Sequence, residues 1–260
     1  AEDLGRRPGL LDTLIDASAL DLPGDVDAIA ARMEAGDAAR DYERQLDRIR
    51  IVTGELRFAL GLQLVQGVHD PLDIAAALSR TAEAGLQVAH RAACKEFARK
   101  HGTIEGSELM VLGLGRLGGG ALTHASDLDI IYLFTGDTSA ESDGERPLGG
   151  TQYYNRLAQR VSAALSVPTA QGALYEIDTR LRPQGAQGPL AVTLDAFAKY
   201  QYEAAWTWEH MALTRARVLV GSDSARTRLD TIIADVLTQT RDPANLREAI
   251  LEMRSEMAKH

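Results

Sequence analysis

Two adjoining stretches decide the fold: Gly113-Leu114-Gly115-Arg116-Leu117-Gly118-Gly119-Gly120, and then Ser126-Asp127-Leu128-Asp129-Ile130-Ile131-Tyr132-Leu133. The residues before the glycines, Glu108 to Leu112, read as a short strand. Asp129 to Phe134, rich in Ile, Tyr and Phe, reads as a second. Side chains two apart on a strand share a face, so Asp127 and Asp129 project together while Leu128 and Ile130 turn into the core. Two carboxylates forced together repel unless a cation sits between them. Phosphoryl-transfer sites meet this need with two divalent metals roughly 3.5–4 Å apart, and oxygen ligands suit magnesium.

Such a site wants a third carboxylate from a neighbouring strand. Asp178 is the candidate, at the end of Leu174-Tyr175-Glu176-Ile177-Asp178 within a strand expected over Ala173 to Thr179. Tyr175 and Ile177 would face the core. Glu176, Arg180 and Arg182 would share the polar face, the arginines holding triphosphate oxygens in bidentate fashion. Each part has a plainer reading: an isolated D-x-D often only caps or decorates a surface, glycines make turns, and Asp178 can pair with an arginine. The combination is far more specific than its parts. A decoy overlaps it, because Gly113-x-Gly115-x-x-Gly118 matches the dinucleotide fingerprint, with Asp137 in the place of a ribose-binding acid. A βαβ crossover needs about 10–12 residues, and only eight separate Gly118 from Asp127. No G-x-x-x-x-G-K-[ST] occurs, so a P-loop is excluded.

Outward from this centre the chain is helical. Leu10, Leu11, Leu14 and Ile15 recur at helical spacing, a short helix is expected over Val26 to Glu34, and a longer one from Arg40 to Leu64. Asp70-Pro71 is a strong helix start, and Lys100-His101-Gly102 a strong stop. Thr135 to Gly150 reads as a mobile loop, and Thr151 as the cap of a helix burying Tyr154, Leu157, Ala158, Val161 and Leu165. Helices over Leu194 to Ala204 and Trp206 to Thr214, a short strand at Val218 to Val220 and further helices complete an α+β pattern. Asn245 to His260 carries no stop signal, so the chain is expected to be part of something longer.

Composition narrows the partners. A net charge of -9 over 260 residues argues against nucleic acid. No apolar run approaches the ~20 residues of a membrane span. Ala1-Glu2-Asp3-Leu4 lacks a signal-peptide pattern, and one cysteine, Cys94, suits a reducing cytoplasm.

Gly115-Arg116-Leu117-Gly118-Gly119 with Ser126-Asp127-Leu128-Asp129 resembles the signature of the bifunctional glutamine synthetase adenylyltransferase/adenylyl-removing family. So do Leu174-Tyr175-Glu176-Ile177-Asp178-Thr179-Arg180-Leu181-Arg182-Pro183 and Ala205-Trp206-Thr207-Trp208-Glu209-His210. The resemblance implies a polymerase-beta-like nucleotidyltransferase core over 106–222, a helical region over 1–105 and a helical segment over 223–260. The W-T-W-E-H run, followed by Ala212-Leu213-Thr214-Arg215-Ala216-Arg217, is similar to the C-terminal half, which moves AMP from ATP to a tyrosine of glutamine synthetase. The N-terminal half, which removes AMP by phosphorolysis, is the alternative, as is a catalytically silent module docking on glutamine synthetase or the PII nitrogen-signalling protein. By this resemblance Asp127, Asp129 and Asp178 bind two Mg²⁺ ions, and Asp178 helps deprotonate the tyrosine. Gly118, Gly119, Ser126, Arg180 and Arg182 face ATP, the two glycines through their amides.

Among other residues, one of Trp206 and Trp208 is expected in the core and the other at a binding surface. Glu209, Arg215 and Arg217 read either as supports of the site or as ion-pair formers. His124 and His210 read as packing or surface residues, and Cys94 as a small buried hydrophobe.

Overall fold

The structure is a computed structural model and describes residues 21–36, 41–239 and 243–257; the helix expected at Leu10 to Ile15 lies outside them. Three helices open the described chain: α1 (Val26–Glu34), α2 (Tyr42–Gln66) and α3 (Pro71–His101). Each begins on an aspartate (Asp25, Asp41, Asp70) whose carboxylate accepts an amide of the first turn. α3, with Pro71 in its first turn, ends at Gly102 with φ 70°. It is 31 residues long, about 46 Å at helical rise, and small residues such as Ala77, Ala82, Gly85 and Ala89 let its neighbours approach on several sides.

β1 (Leu109–Gly113), the one-turn helix α4 (Gly115–Gly118) and β2 (Leu128–Phe134) follow. β1 and β2 pair antiparallel, which excludes the βαβ unit that the dinucleotide fingerprint requires. After α5 (Gly150–Ser166) come β3 (Ile177–Asp178), β4 (Ala191–Thr193), α6 (Leu194–Glu203), α7 (Thr207–Leu213), β5 (Arg217–Val220), α8 (Asp223–Thr238) and α9 (Pro243–Met257). The sheet runs β3-β2-β1-β5, and β4 lies beside the far half of the β2 edge that β3 occupies.

Hydrophobic alternation along β2 places the sheet between two helical layers. Leu128, Ile130, Tyr132 and Phe134 join a cluster with Ile49 and Leu60 of α2, Leu86 of α3 and Leu157 of α5. Ile131 and Leu133 join the opposite cluster with Phe197 of α6 and Leu229 of α8. The helical N-terminal region and the sheet therefore share a core. Among the described residues, no helix is long and apolar enough to cross a membrane.

Three local expectations are corrected. Thr135 to Gly150 is tied down: Asp143 and Thr103 exchange two hydrogen bonds, and the amides of Gly144 and Arg146 satisfy the His101 and Lys100 carbonyls at the end of α3. The helix after it starts two residues early, behind Gly149, so Thr151 is not its cap. The strand expected over Ala173 to Thr179 shrinks to Ile177–Asp178. Leu174 and Tyr175 are buried consecutively, both amides donating to the Leu165 carbonyl. Beyond Asp178 the amide of Arg180 donates to the Asp178 carboxylate, an Asx-type turn that competes with strand pairing.

Arg50 of α2 steers this segment. It is 2% exposed, and its guanidinium donates to the carbonyls of Leu46, Ala164, Val167 and Gly172, pinning the end of α5 and the turn that leads to β3. Arg50→Ala leaves several buried carbonyls unpaired, each costing about 1–3 kcal/mol. The variant is expected to lose about 3–5 kcal/mol in chemical denaturation, and Arg50→Lys, lacking the planar fork, to recover little of it.

Candidate active site

Strand geometry assembles the acidic cluster. Asp127 immediately precedes β2 and Asp129 is its second residue, and the parallel register sets Asp129 directly beside Asp178 of β3. Each of the three offers a carboxylate oxygen within 4.8 Å of the others. Asp127 is exposed and the other two are half-buried. Among the described residues, the carboxylates of Asp127 and Asp129 accept no hydrogen bond, whereas Asp178 is clasped by Arg180 through its amide and its guanidinium.

The protonation behaviour follows. Burial, then the charges of Asp127 and Asp178, raise the Asp129 pKa above the ordinary carboxylate range. The hydrogen bonds from Arg180 hold Asp178 below that range. The cluster therefore carries excess negative charge that one exposed guanidinium only partly offsets. An all-oxygen donor set of this charge fits a hard divalent cation.

A cleft of about 430 Å³ opens at the cluster, walled by Gly115, Arg116, Thr123, Ser126 and Arg215. The Ser126 hydroxyl closes the turn onto Thr123, with Oγ···Oγ1 at 2.8 Å. Gly115 is the glycine that meets the acids: at φ 54°, a methyl group built on it would overlap Oδ2 of Asp129. A larger cavity of about 530 Å³ lies behind Arg57 and His124 and has no carboxylate in its lining. Chemistry, not size, singles out the cleft.

The structure brings Asp127, Asp129, Asp178, Ser126 and Arg180 together, and it does not bring Gly118, Gly119 or Arg182. The Gly118 amide donates to the Leu114 carbonyl at 2.7 Å and the Gly119 amide to that of Gly115 at 3.2 Å, so both are spent inside α4. Gly118 has a packing reason for being glycine, since a methyl group there would strike the Arg215 and Gly113 carbonyls. Arg182 follows the turn away from the acids, and its fork binds the carbonyls of Thr179, Gly188 and Pro189. It acts on Asp178 only through its field.

Arg116 and Arg215 sit on the cleft wall with no ion pair or side-chain hydrogen bond among the described residues. Arg116 lies inside the glycine motif, and its place before a turn beside the acids was the available signal. Arg217 is committed elsewhere, paired at 2.6 Å with Glu83 of α3, which is almost fully buried. The tryptophans are corrected: Trp206 and Trp208 are 70% and 42% exposed, and α7 buries Glu209 and Leu213 instead. Glu209 accepts from the Tyr200 hydroxyl and the Trp206 amide. His210 and His124 each meet a backbone carbonyl, of Gln201 and Arg57, and Cys94 is half-buried, its thiol pushed up to about 11 by burial.

Two outcomes follow. Asp129 has a raised pKa when folded, so its ionisation costs the fold nothing below the ordinary value near ~4 and its full amount above the raised one. Metal-free Asp129→Asn should therefore melt higher than metal-free wild type at pH 7.5, the gap closing as pH falls through the carboxylate range. Thermal melts across pH read this directly. Gly115→Ala should lose about 1–2 kcal/mol from its left-handed backbone, and added Mg²⁺ or Mn²⁺ should raise the melting temperature of wild type but not that of this variant. Gly120→Ala, at φ 68° with open space around it, should show the backbone cost alone.

Comparison with known proteins adds ancestry to this geometry. Residues 1–232 match the family model described as "Glutamate-ammonia ligase adenylyltransferase". The chain is 44% identical over 259 residues to the bifunctional glutamine synthetase adenylyltransferase/adenylyl-removing enzyme of Mesorhizobium japonicum, covering 98% of this chain and 26% of that protein. It is 43% identical over 260 residues to the enzyme of the same name from Brucella suis and 42% over 257 to that of Agrobacterium fabrum, again covering 26% of each. It thus spans about a quarter of the length of the curated relatives it matches. By a family match over most of its residues, and by relatives 42–44% identical over nearly its whole length, the chain belongs to the glutamate-ammonia ligase adenylyltransferase family.

Proposed function

We propose that this chain transfers AMP from ATP to a tyrosine of glutamine synthetase and releases pyrophosphate. The observation that carries the reading is the convergence of Asp127, Asp129 and Asp178 beside a cleft with two uncommitted arginines. We read the sheet as a polymerase-beta-type core, because two aspartates on one strand and a third on its neighbour suit metal-assisted nucleotidyl transfer. We place the chain in a cytoplasmic enzyme that answers to the PII protein, on the strength of the family resemblance.

Asp127, Asp129 and Asp178 would hold two Mg²⁺ ions. When bound, these neutralise the triphosphate and stabilise charge developing at the α-phosphate and its leaving oxygen. The remaining chemistry falls to the chain. Arg116 and Arg215 approach the phosphates from the cleft wall, where a guanidinium fork can bind two oxygens at once. Arg180 shields Asp178 until substrate arrives. Its side chain is 80% exposed, so it can exchange the carboxylate for a phosphate without unpacking the core. Asp178, a carboxylate at neutral pH, then accepts the hydrogen bond of the incoming phenol, whose ordinary pKa is ~10, and takes its proton as the oxygen attacks. The phenolic oxygen attacks the α-phosphorus, and pyrophosphate leaves.

Incubation with α-labelled ATP, Mg²⁺ and unmodified glutamine synthetase should place label on a tyrosine of that protein. Asp127→Asn should abolish labelling while the circular dichroism spectrum is retained; full labelling by this variant would defeat the proposal. Release of ADP from pre-adenylylated glutamine synthetase and phosphate, without forward labelling, would assign the reverse, adenylyl-removing role instead. Arg116→Ala and Arg215→Ala should each raise the KM for ATP about tenfold, the worth of one charge-assisted contact.

A further inference from the structure

Arg57 belongs to α2, in the helical layer, yet it touches both segments that carry the acids. Its Nη2 donates to the His124 carbonyl at 2.6 Å, and its Nη1 to the Leu174 carbonyl at 3.4 Å. Its guanidinium carbon lies 5.3 Å from the centre of the buried Tyr175 ring. His124 returns the contact, with Nε2 at 2.9 Å from the Arg57 carbonyl oxygen. A carbonyl only accepts, so Nε2 carries the proton. Gly61, one helical turn beyond Arg57, leaves room for the ring: a methyl group there would stand 3.1 Å from Nε2.

His124 precedes Asp127 by three residues and Leu174 precedes Asp178 by four. One planar fork therefore grips the two chains just upstream of the cluster. Between fork and cluster, the Leu128 amide bonds the Glu176 carbonyl at 2.9 Å. The separation of Asp178 from Asp127 and Asp129 is set at two points, one on the sheet and one on the helical layer.

We propose that Arg57 and His124 form a latch that sets the spacing of the acidic cluster, which makes them positioning residues for the transfer reaction. The proposal rests on the reading of that cluster as the transferase metal site. A lysine cannot replace the fork, because a point charge does not hold two carbonyls in fixed relation. His124→Gln keeps an N–H able to reach the Arg57 carbonyl, and His124→Ala does not.

The test uses the whole chain and three readouts. Hydrogen exchange measured by mass spectrometry should quicken in peptides covering 121–129 and 172–178 together in Arg57→Gln and Arg57→Lys. Mn²⁺ affinity, read by electron paramagnetic resonance below the melting temperature, should weaken about tenfold, as when a group supporting a metal ligand is removed. kcat should fall with it. His124→Ala should show the same pattern, and His124→Gln should restore most of what His124→Ala loses. A folded Arg57→Gln with wild-type Mn²⁺ affinity, or with faster exchange in neither or only one segment, overturns the latch. Absence of AMP transfer by the wild-type chain defeats the proposed function instead, and leaves exchange and Mn²⁺ affinity to judge the latch.

Discussion

Three like charges held together at the end of a strand are the constraint on which the rest of the structure depends. At an effective dielectric of about 20, two carboxylate charges within 4.8 Å repel by about 3–4 kcal/mol, and solvent around the exposed Asp127 reduces its share toward ~1 kcal/mol. The opposing force is burial. Leu128, Ile130, Ile131, Tyr132, Leu133 and Phe134 are all buried, each worth about 1.5–3 kcal/mol. Slipping β2 by one residue would turn Asp129 into the core that holds Ile49 and Leu60 and would swap the side chains packed in the two clusters. Burial wins, and the cluster is forced to exist with its repulsion only partly offset by Arg180. The raised Asp129 pKa is the local sign of that tension.

The arginines show how such tension is apportioned. Arg50, Arg57, Arg182 and Arg217 are spent on carbonyls or on Glu83, and each such contact pins a loop or helix that leads into the cluster. A guanidinium bound this way cannot leave without stranding buried acceptors, so it is unsuited to a substrate that must come and go. Arg180 reaches Asp178 from the solvent side, its own side chain 80% exposed, so it can leave without stranding a buried donor. Arg116 and Arg215 are held by nothing among the described residues. The gradient from committed to uncommitted cation runs from the helical layer to the cleft, the direction from structure to chemistry.

Much of this was legible in the sequence because it is local. Period-two alternation places Asp127 beside Asp129, Asp70-Pro71 starts α3, and Val26 to Glu34 forms the helix its pattern specifies. Even the third acid could be named, since a strand aspartate after a buried aromatic is a local pattern. The misreadings are non-local or competitive. β4 is three residues long, and its identity comes from pairing with β2 across a long separation. The expected face of Arg182 was lost because the Asp178 carboxylate captured the Arg180 amide and ended the strand. The resemblance implied that Gly118 and Gly119 offer amides to phosphates, and here those amides bond the Leu114 and Gly115 carbonyls. Trp206 and Trp208 stay exposed because Glu209, which composition would put outside, has a hydroxyl and an amide to bind and takes the buried position.

The glycine motif shows why residue type alone is a poor guide to role. Gly115 is glycine because a carboxylate occupies the space a side chain would need, and Gly118 because two backbone carbonyls do. Gly120 needs only a left-handed backbone, with nothing near it. Three glycines of one motif thus answer to a chemical group, to packing and to chain direction in turn. Only the first of these demands is felt by the acids, and it is felt from the cleft side, while His124 and Arg57 constrain the same loop from behind. A loop gripped on both sides has little freedom to spread its carboxylates apart, so the fold itself holds the repelling charges together.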